Sequence, residues 1–190
     1  MTRCWFVLSF LFASSGFCEP SFPNFSKAPE FELIDQSAQP FESGNLRGKV
    51  WIASFIFTRC KSACPLLTGQ MAEFQKELKG SRILLVSFSV DPDYDSPQVL
   101  KEYAAHYGAE EGRWFFLTGK KEKIRELMSG GFELGVADAT AEDLAAGAEP
   151  VMHSNRFVLV DKGGLIRGYY DSQDPASIKQ IIKDALNINR

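Results

Sequence analysis

Histidine is nearly missing from this chain, with two in 190 residues, and cysteine is scarce, with four. An imidazole ligand or base must therefore be His106 or His153. The cysteines, Cys4, Cys18, Cys60 and Cys64, are too few and too unevenly placed for a disulfide scaffold. Charge of one sign is also lacking: 21 Lys plus Arg against 24 Asp plus Glu leave a formal charge of −3, which removes nucleic-acid binding through a basic face. No apolar run reaches the roughly 20 residues of a spanning helix, so multi-span membrane classes are excluded. With 45% hydrophobic residues, 15 Gly and 9 Pro, the composition excludes disordered and collagen-like chains as well. There is no internal repeat. What remains is a globular domain of about 150 residues with a short extra segment, large enough to bury a core without covalent staples. The cysteines then call for a chemical explanation.

The extra segment is N-terminal. Met1 to Arg3 carries one positive charge, Cys4 to Ala13 is almost wholly apolar, and Ser14, Ser15 and Gly16 are small. Residues 1–18 read as a secretory signal peptide, with a short N-terminal anchor tethering the protein to a membrane as the alternative. Phe17 disfavours lipid attachment at Cys18, because such signals place a small residue before the modified cysteine. Export puts the domain in the periplasm or on the outer face of the inner membrane in a bacterium. In such an oxidising compartment a close thiol pair cycles between dithiol and disulfide. Residues 19–29, rich in Pro and Ser, read as a linker, and residues 30–190 as the folded domain.

Within the domain, Phe31 to Phe41 suggests a small hairpin around Asp35 and Gln36. Val50 to Phe57 and Ile83 to Val90 are continuous apolar runs, the pattern of strands buried on both faces. Helical spacing at Leu67, Met71, Phe74 and Leu78 ends at Gly80. Asp95 or Ser96 caps a second helix with Pro97 in its first turn. Trp114 to Leu117 is a short strand, and Lys120 to Ser129 a third helix closed by Gly130 and Gly131. Asp138 to Glu149, polar and poor in large apolar residues, reads as a mobile excursion or a weak helix. Phe157 to Val160 and Leu165 to Tyr170 form a hairpin around Asp161 to Gly164, and Asp174-Pro175 starts a last helix. The sum is an α/β sandwich with a mixed central β-sheet and an N-terminal β-hairpin.

Cys60 and Cys64 follow the first buried strand, at the mouth of the first helix. An i, i+4 spacing on a helix stacks two side chains on one face, so both sulfurs can meet a single partner. Pro65 leaves two registers open: either Cys64 caps the helix and Cys60 belongs to the loop, or the helix starts earlier and Pro65 kinks it. In both, the positive end of the helix dipole, with Arg59 and Lys61, favours thiolate. A thiolate pair can be oxidised or can bind soft metals such as monovalent copper or zinc, and an imidazole raises affinity for copper of either valence. The plainer readings are inert core thiols, or a disulfide closing so short a loop that it stabilises little. His153 occupies a loop position just after the acidic excursion, whereas His106 sits on a helix without a second donor nearby in sequence. Met152 reads as packing, Asp91 and Asp95 in DPDYDSP as turn and cap residues, and Asp138, Glu142, Asp143 and Glu149 as a solvated face.

The segment FTRCKSACP at 57–65, the strand ending in Asp91-Pro92, Asp95-Ser96-Pro97, and His153 followed by a strand and an Asp-x-Gly-Gly turn together resemble the Sco (SenC) family, over about Pro29 to Leu186. The resemblance implies a thioredoxin-like fold, with copper, monovalent or divalent, held by Cys60, Cys64 and His153. It implies a metallochaperone assisting assembly of the binuclear copper centre of cytochrome c oxidase. The partner would be the copper-accepting subunit of that oxidase or a similar copper-site client. Lys61 departs from the proline that many relatives carry after the first cysteine. The competing reading is an enzyme, a thiol-disulfide oxidoreductase in which Cys60 and Cys64 are the catalytic redox pair that reduces the client's cysteines. Three residues between the cysteines, where ordinary thioredoxin-type reductases have two, and the presence of His153 favour metal. A thiol peroxidase would need a threonine where Phe57 stands.

Overall fold

Two strands buried on both faces organise the molecule. A computed structural model describes Pro23, residues 25–61 and residues 63–190, so the signal-peptide reading of residues 1–18 lies outside it. β3 (Trp51–Ile56) and β4 (Leu84–Ser89) run parallel in register from Trp51 opposite Leu84 to Ile56 opposite Ser89, with every residue of both strands buried. They form the centre of a seven-stranded mixed sheet. β5 (Trp114–Thr118) is parallel to β4, while β8 (Arg156–Val160) and β9 (Ile166–Asp171) add antiparallel strands beyond β3. On the other side the expected N-terminal hairpin, β1 (Glu32–Asp35) and β2 (Pro40–Glu42), pairs antiparallel with β5.

The helices start where the sequence places stop and start signals. α1 (Cys64–Glu77) packs on β3 and takes Pro65 in its first turn, where a missing N–H costs nothing. α2 (Pro97–His106) is capped by Ser96, whose hydroxyl accepts the Val99 N–H. α3 (Lys121–Glu126) runs on through a π turn, Leu127–Gly131. The last helix, α5 (Pro175–Ile188), is capped by the Asp174 carboxylate, which accepts from Ala176 and Ser177. No helix among the described residues is long and apolar enough to cross a membrane.

Aromatic side chains fill the core. Phe55 stacks on Phe88 at 5.3 Å, and Phe132 stands edge-on to Phe55 at 5.2 Å. The few buried polar groups find one another: the Ser54 and Ser87 hydroxyls meet at 2.8 Å, and the Trp114 indole N–H donates to Ser87 at 3.0 Å.

Two stretches differ from the sequence reading. Phe25 to Lys27, within the stretch read as a linker, lies along edge strand β9: the Phe25 N–H donates to the Ile166 carbonyl and the Ile166 N–H to that of Ser26. A backbone edge left unpaired is thereby covered. The acidic excursion does contain a short helix, α4 (Ala141–Ala145), but it is framed by a hairpin that the sequence does not announce. β6 (Val136–Asp138) pairs antiparallel with β7 (Val151–His153), so His153 closes a strand opposite Val136 instead of lying in a loop. Three-residue strands are too short for alternation to be read.

Candidate metal centre

The site forms where β3 leaves the sheet and the chain turns into α1. Cys64 is the first residue of α1 and is fully buried beneath the turn, where its sulfur accepts the Phe57 N–H at 3.5 Å. Of the two registers open from sequence, Cys64 is therefore inside the helix start, with Ala63 at the cap position. Cys60 belongs to the preceding loop and is also buried; its sulfur accepts the Cys64 N–H at 3.4 Å, one of the amides that a helix N-terminus leaves unpaired. The two thiols are not joined in a disulfide.

His153 arrives from the opposite side, on β7. Its Nε2 stands 3.5 Å from the Cys64 sulfur and its Nδ1 3.1 Å from the Ser154 carbonyl. A carbonyl only accepts, so Nδ1 carries the proton and Nε2 turns its lone pair to the thiol, the tautomer a metal ligand needs. Phe57 packs edge-on against the imidazole at 5.7 Å. Among the described residues no three His, Cys, Asp or Glu side chains are grouped closely enough to hold a metal ion as they stand. The donor chemistry nevertheless fits copper: two sulfurs and an imidazole nitrogen with a free lone pair are soft and borderline donors.

The expected thiolate at Cys64 is not what this environment favours. Burial, the largest influence, lifts the Cys64 thiol above the ordinary range, and the Phe57 N–H offsets only part of that. Nor does Arg59 support a thiolate, because it is engaged elsewhere: its Nε meets Asp91 at 2.6 Å and its guanidinium covers the Tyr94 ring at 5.0 Å. Burial likewise lowers His153, with the Ser154 carbonyl acting in the opposite direction. The resting pair is thus a neutral thiol beside a neutral imidazole.

Stability should follow pH accordingly. The folded chain keeps the Cys64 proton that the unfolded chain releases near pH 8.5, so stability is complete below that range and falls as pH rises above it, by up to about 1.4 kcal/mol per pH unit. At the acid end the unfolded chain takes up a proton on His153 near pH 6.5 that the folded chain resists, so stability falls as pH drops through that value. Urea denaturation of the reduced, metal-free protein from about pH 5 to about pH 10 should give a maximum between the two flanks. Cys64→Ala should flatten the alkaline flank and His153→Ala the acid one; flanks unchanged in both variants would show that other groups set them.

Sequence reasoning missed the residues that hold the loop. Asp95, read as a turn or cap residue, is fully buried and accepts the Thr58 N–H at 3.1 Å, the Thr58 hydroxyl at 2.5 Å and the Ser89 hydroxyl at 2.6 Å. Burial raises its carboxyl, and the Ser89 and Thr58 hydrogen bonds work against that shift. Asp91 is buried as well, against Arg59. The two acids grip the residues just before Cys60. The only signal was the spacing of DPDYDSP directly after a buried strand. Of the remaining candidates, His106 ends α2 with its ring edge-on to Tyr107, and Met152 is exposed, its side chain alternating away from that of its neighbour His153.

A mixed α/β sheet with two thiols and an imidazole gathered at a strand-to-helix turn defines a thioredoxin-like domain. Residues 21–187 match the sequence model of SCO1/SenC, and the chain belongs to that family. The SCO1 protein homolog of Bacillus subtilis is 35% identical over 157 residues, covering 81% of this chain and 78% of its own. A SCO1/SenC family lipoprotein from Bacillus anthracis superposes with a TM-score of 0.77 at 31% identity, over 86% of this chain and 95% of that one. BsSco, described as a Sco-family cytochrome c oxidase assembly protein with a disulfide switch, gives a TM-score of 0.74 at 31% identity, over 88% and 95%. The fold is also that of Bradyrhizobium japonicum ScoI, solved with copper bound, with a TM-score of 0.71 at 19% identity over 86% and 99%.

Proposed function

We propose that the protein is an exported copper carrier that takes part in assembling the binuclear copper centre of cytochrome c oxidase, holding its cargo with Cys60, Cys64 and His153. The observation that carries this reading is the approach of the His153 Nε2 lone pair to the Cys64 sulfur at 3.5 Å, with the Cys60 sulfur at the same helix N-terminus. Copper would displace the Cys64 proton and take the imidazole lone pair. Two thiolates and one imidazole leave the ion three-coordinate and open to a client's ligand, which suits cargo that must be handed on. Family membership and a Stutzerimonas stutzeri relative, 33% identical over 74% of this chain and described as a putative copper-binding protein, support the cargo, and the description of BsSco supports the client. The signal-like first residues and the description of the Bacillus anthracis relative as a lipoprotein support action outside the cytoplasm.

A second reading, reduction of the client's cysteines by the same thiol pair, is favoured by the disulfide switch described for BsSco. Anaerobic copper titration of the reduced protein separates the two. The carrier should bind one copper per chain, and His153→Ala should weaken binding by about 10- to 100-fold or more, at least the loss typical of groups that only orient a ligand. Absence of copper binding, together with reductase turnover undiminished in His153→Ala, would sink the carrier and favour the reductase.

A further inference from the structure

We infer that Glu149 is a positioning residue for this centre, its carboxylate tying the hairpin that carries His153 to the loop that carries the thiols. The inference rests on the copper reading above. Glu149 Oε1 accepts the Lys61 N–H at 3.0 Å, across 88 residues of sequence. Lys61 directly follows Cys60, and Glu149 lies just before β7, whose last residue is His153. The contact therefore joins the two halves of the site close to the ligands of both.

The opposite side of the hairpin is anchored independently. Asp138, which ends β6, meets Lys121 at 3.5 Å and also pairs with Arg125 on the same helix. Lys121 reaches Asp93 at 3.4 Å, between the two acids that grip Thr58 and Arg59. Because Val136 pairs with His153 and Asp138 with Val151, this anchor fixes the hairpin to the body of the domain. Glu149 then fixes it to the cysteine loop. α4 satisfies its own N-terminus through a Thr140–Asp143 capping box, so those polar groups are spent inside the excursion. A carboxylate accepting a backbone N–H makes one of the stronger hydrogen bonds. Without this tie the imidazole keeps its strand but loses its alignment over the sulfurs, and the cargo leaves sooner.

Lys61 amide exchange, followed by NMR on the reduced metal-free protein, and copper dissociation from the loaded protein test this in Glu149→Ala and Glu149→Gln. Glutamine keeps a carbonyl oxygen to accept the Lys61 N–H. Glu149→Ala is expected to speed both amide exchange and copper release by about tenfold, and Glu149→Gln to stay within about threefold of wild type on both. In a His153→Ala background, Glu149→Ala should speed copper release no further, because the tie acts through the imidazole. Lys61 exchange unchanged in Glu149→Ala, or equal acceleration of release with and without His153, overturns the inference. A protein that binds no copper, or binds it indifferently to His153→Ala, overturns the copper reading instead, and amide exchange then decides the tie alone.

Discussion

Replacing Cys64 by serine is expected to lower copper affinity by about two to three orders of magnitude while leaving the fold in place. Apparent binding energies of roughly 10–16 kcal/mol for a structural zinc held by four ligands put each such ligand at about 2.5–4 kcal/mol, or about 10²- to 10³-fold, and a copper thiolate is taken on the same scale. Serine cannot recover this, since its oxygen is hard and keeps its proton at neutral pH. The site does offer a hydroxyl good partners. The Phe57 N–H that points at the sulfur can donate to an oxygen, and the His153 Nε2 lone pair can accept from it. The fully buried position changes little in volume, so denaturation of Cys64→Ser should resemble that of wild type. Cys60→Ser should lose a similar factor. A competition titration against a chelator of known copper affinity measures both; full affinity in either variant would remove that sulfur from the ligand set. Loss of activity in these variants would not separate carrier from reductase, because both need both sulfurs. The imidazole separates them.

Local chemistry made much of this molecule legible. The buried strands β3 and β4 are apolar runs, Ser96 and Asp174 cap helices as their type requires, and Gly163-Gly164 turns the β8–β9 hairpin. The cysteine pair at a strand-to-helix turn could be singled out by position. What stayed hidden depends on separation along the chain. Asp95 meets Thr58 across 37 residues, Glu149 meets Lys61 across 88, and His153 meets Cys64 across 89. Nothing local distinguishes an aspartate that grips a distant loop from one that caps the next helix, and DPDYDSP satisfies both descriptions. The thiolate expectation at Cys64 failed for a related reason. The dipole and the neighbouring cations are visible in sequence, but the complete burial of Cys64 and the engagement of Arg59 by Asp91 are products of the fold. Desolvation then outweighs the dipole.

Asp95 carries the largest expected effect on stability, and its direction depends on the replacement. Asp95→Ala removes the acceptor of the Thr58 N–H, the Thr58 hydroxyl and the Ser89 hydroxyl together. Buried donors left without partners cost about 1–3 kcal/mol each, so a loss of about 3 kcal/mol or more is expected in urea denaturation. Thr58 follows Phe57, whose N–H meets the Cys64 sulfur and whose ring supports His153, so freeing Thr58 disturbs both sides of the site. Copper affinity should fall by about 10- to 100-fold, as for other groups that orient ligands. Asp95→Asn separates geometry from charge. Its carbonyl oxygen can keep the Thr58 bonds, and its amide can donate to a Ser89 hydroxyl turned to accept. Burial raises the Asp95 carboxyl, so the ionised side chain carries a desolvation cost at neutral pH that asparagine avoids. Asp95→Asn is therefore expected to stay within about 1 kcal/mol of wild type and to keep its copper, although none of its hydrogen bonds is charge-assisted any longer. If both variants lose stability equally, the negative charge rather than the acceptor geometry is what holds the thiol loop; if neither does, Asp95 does not anchor it.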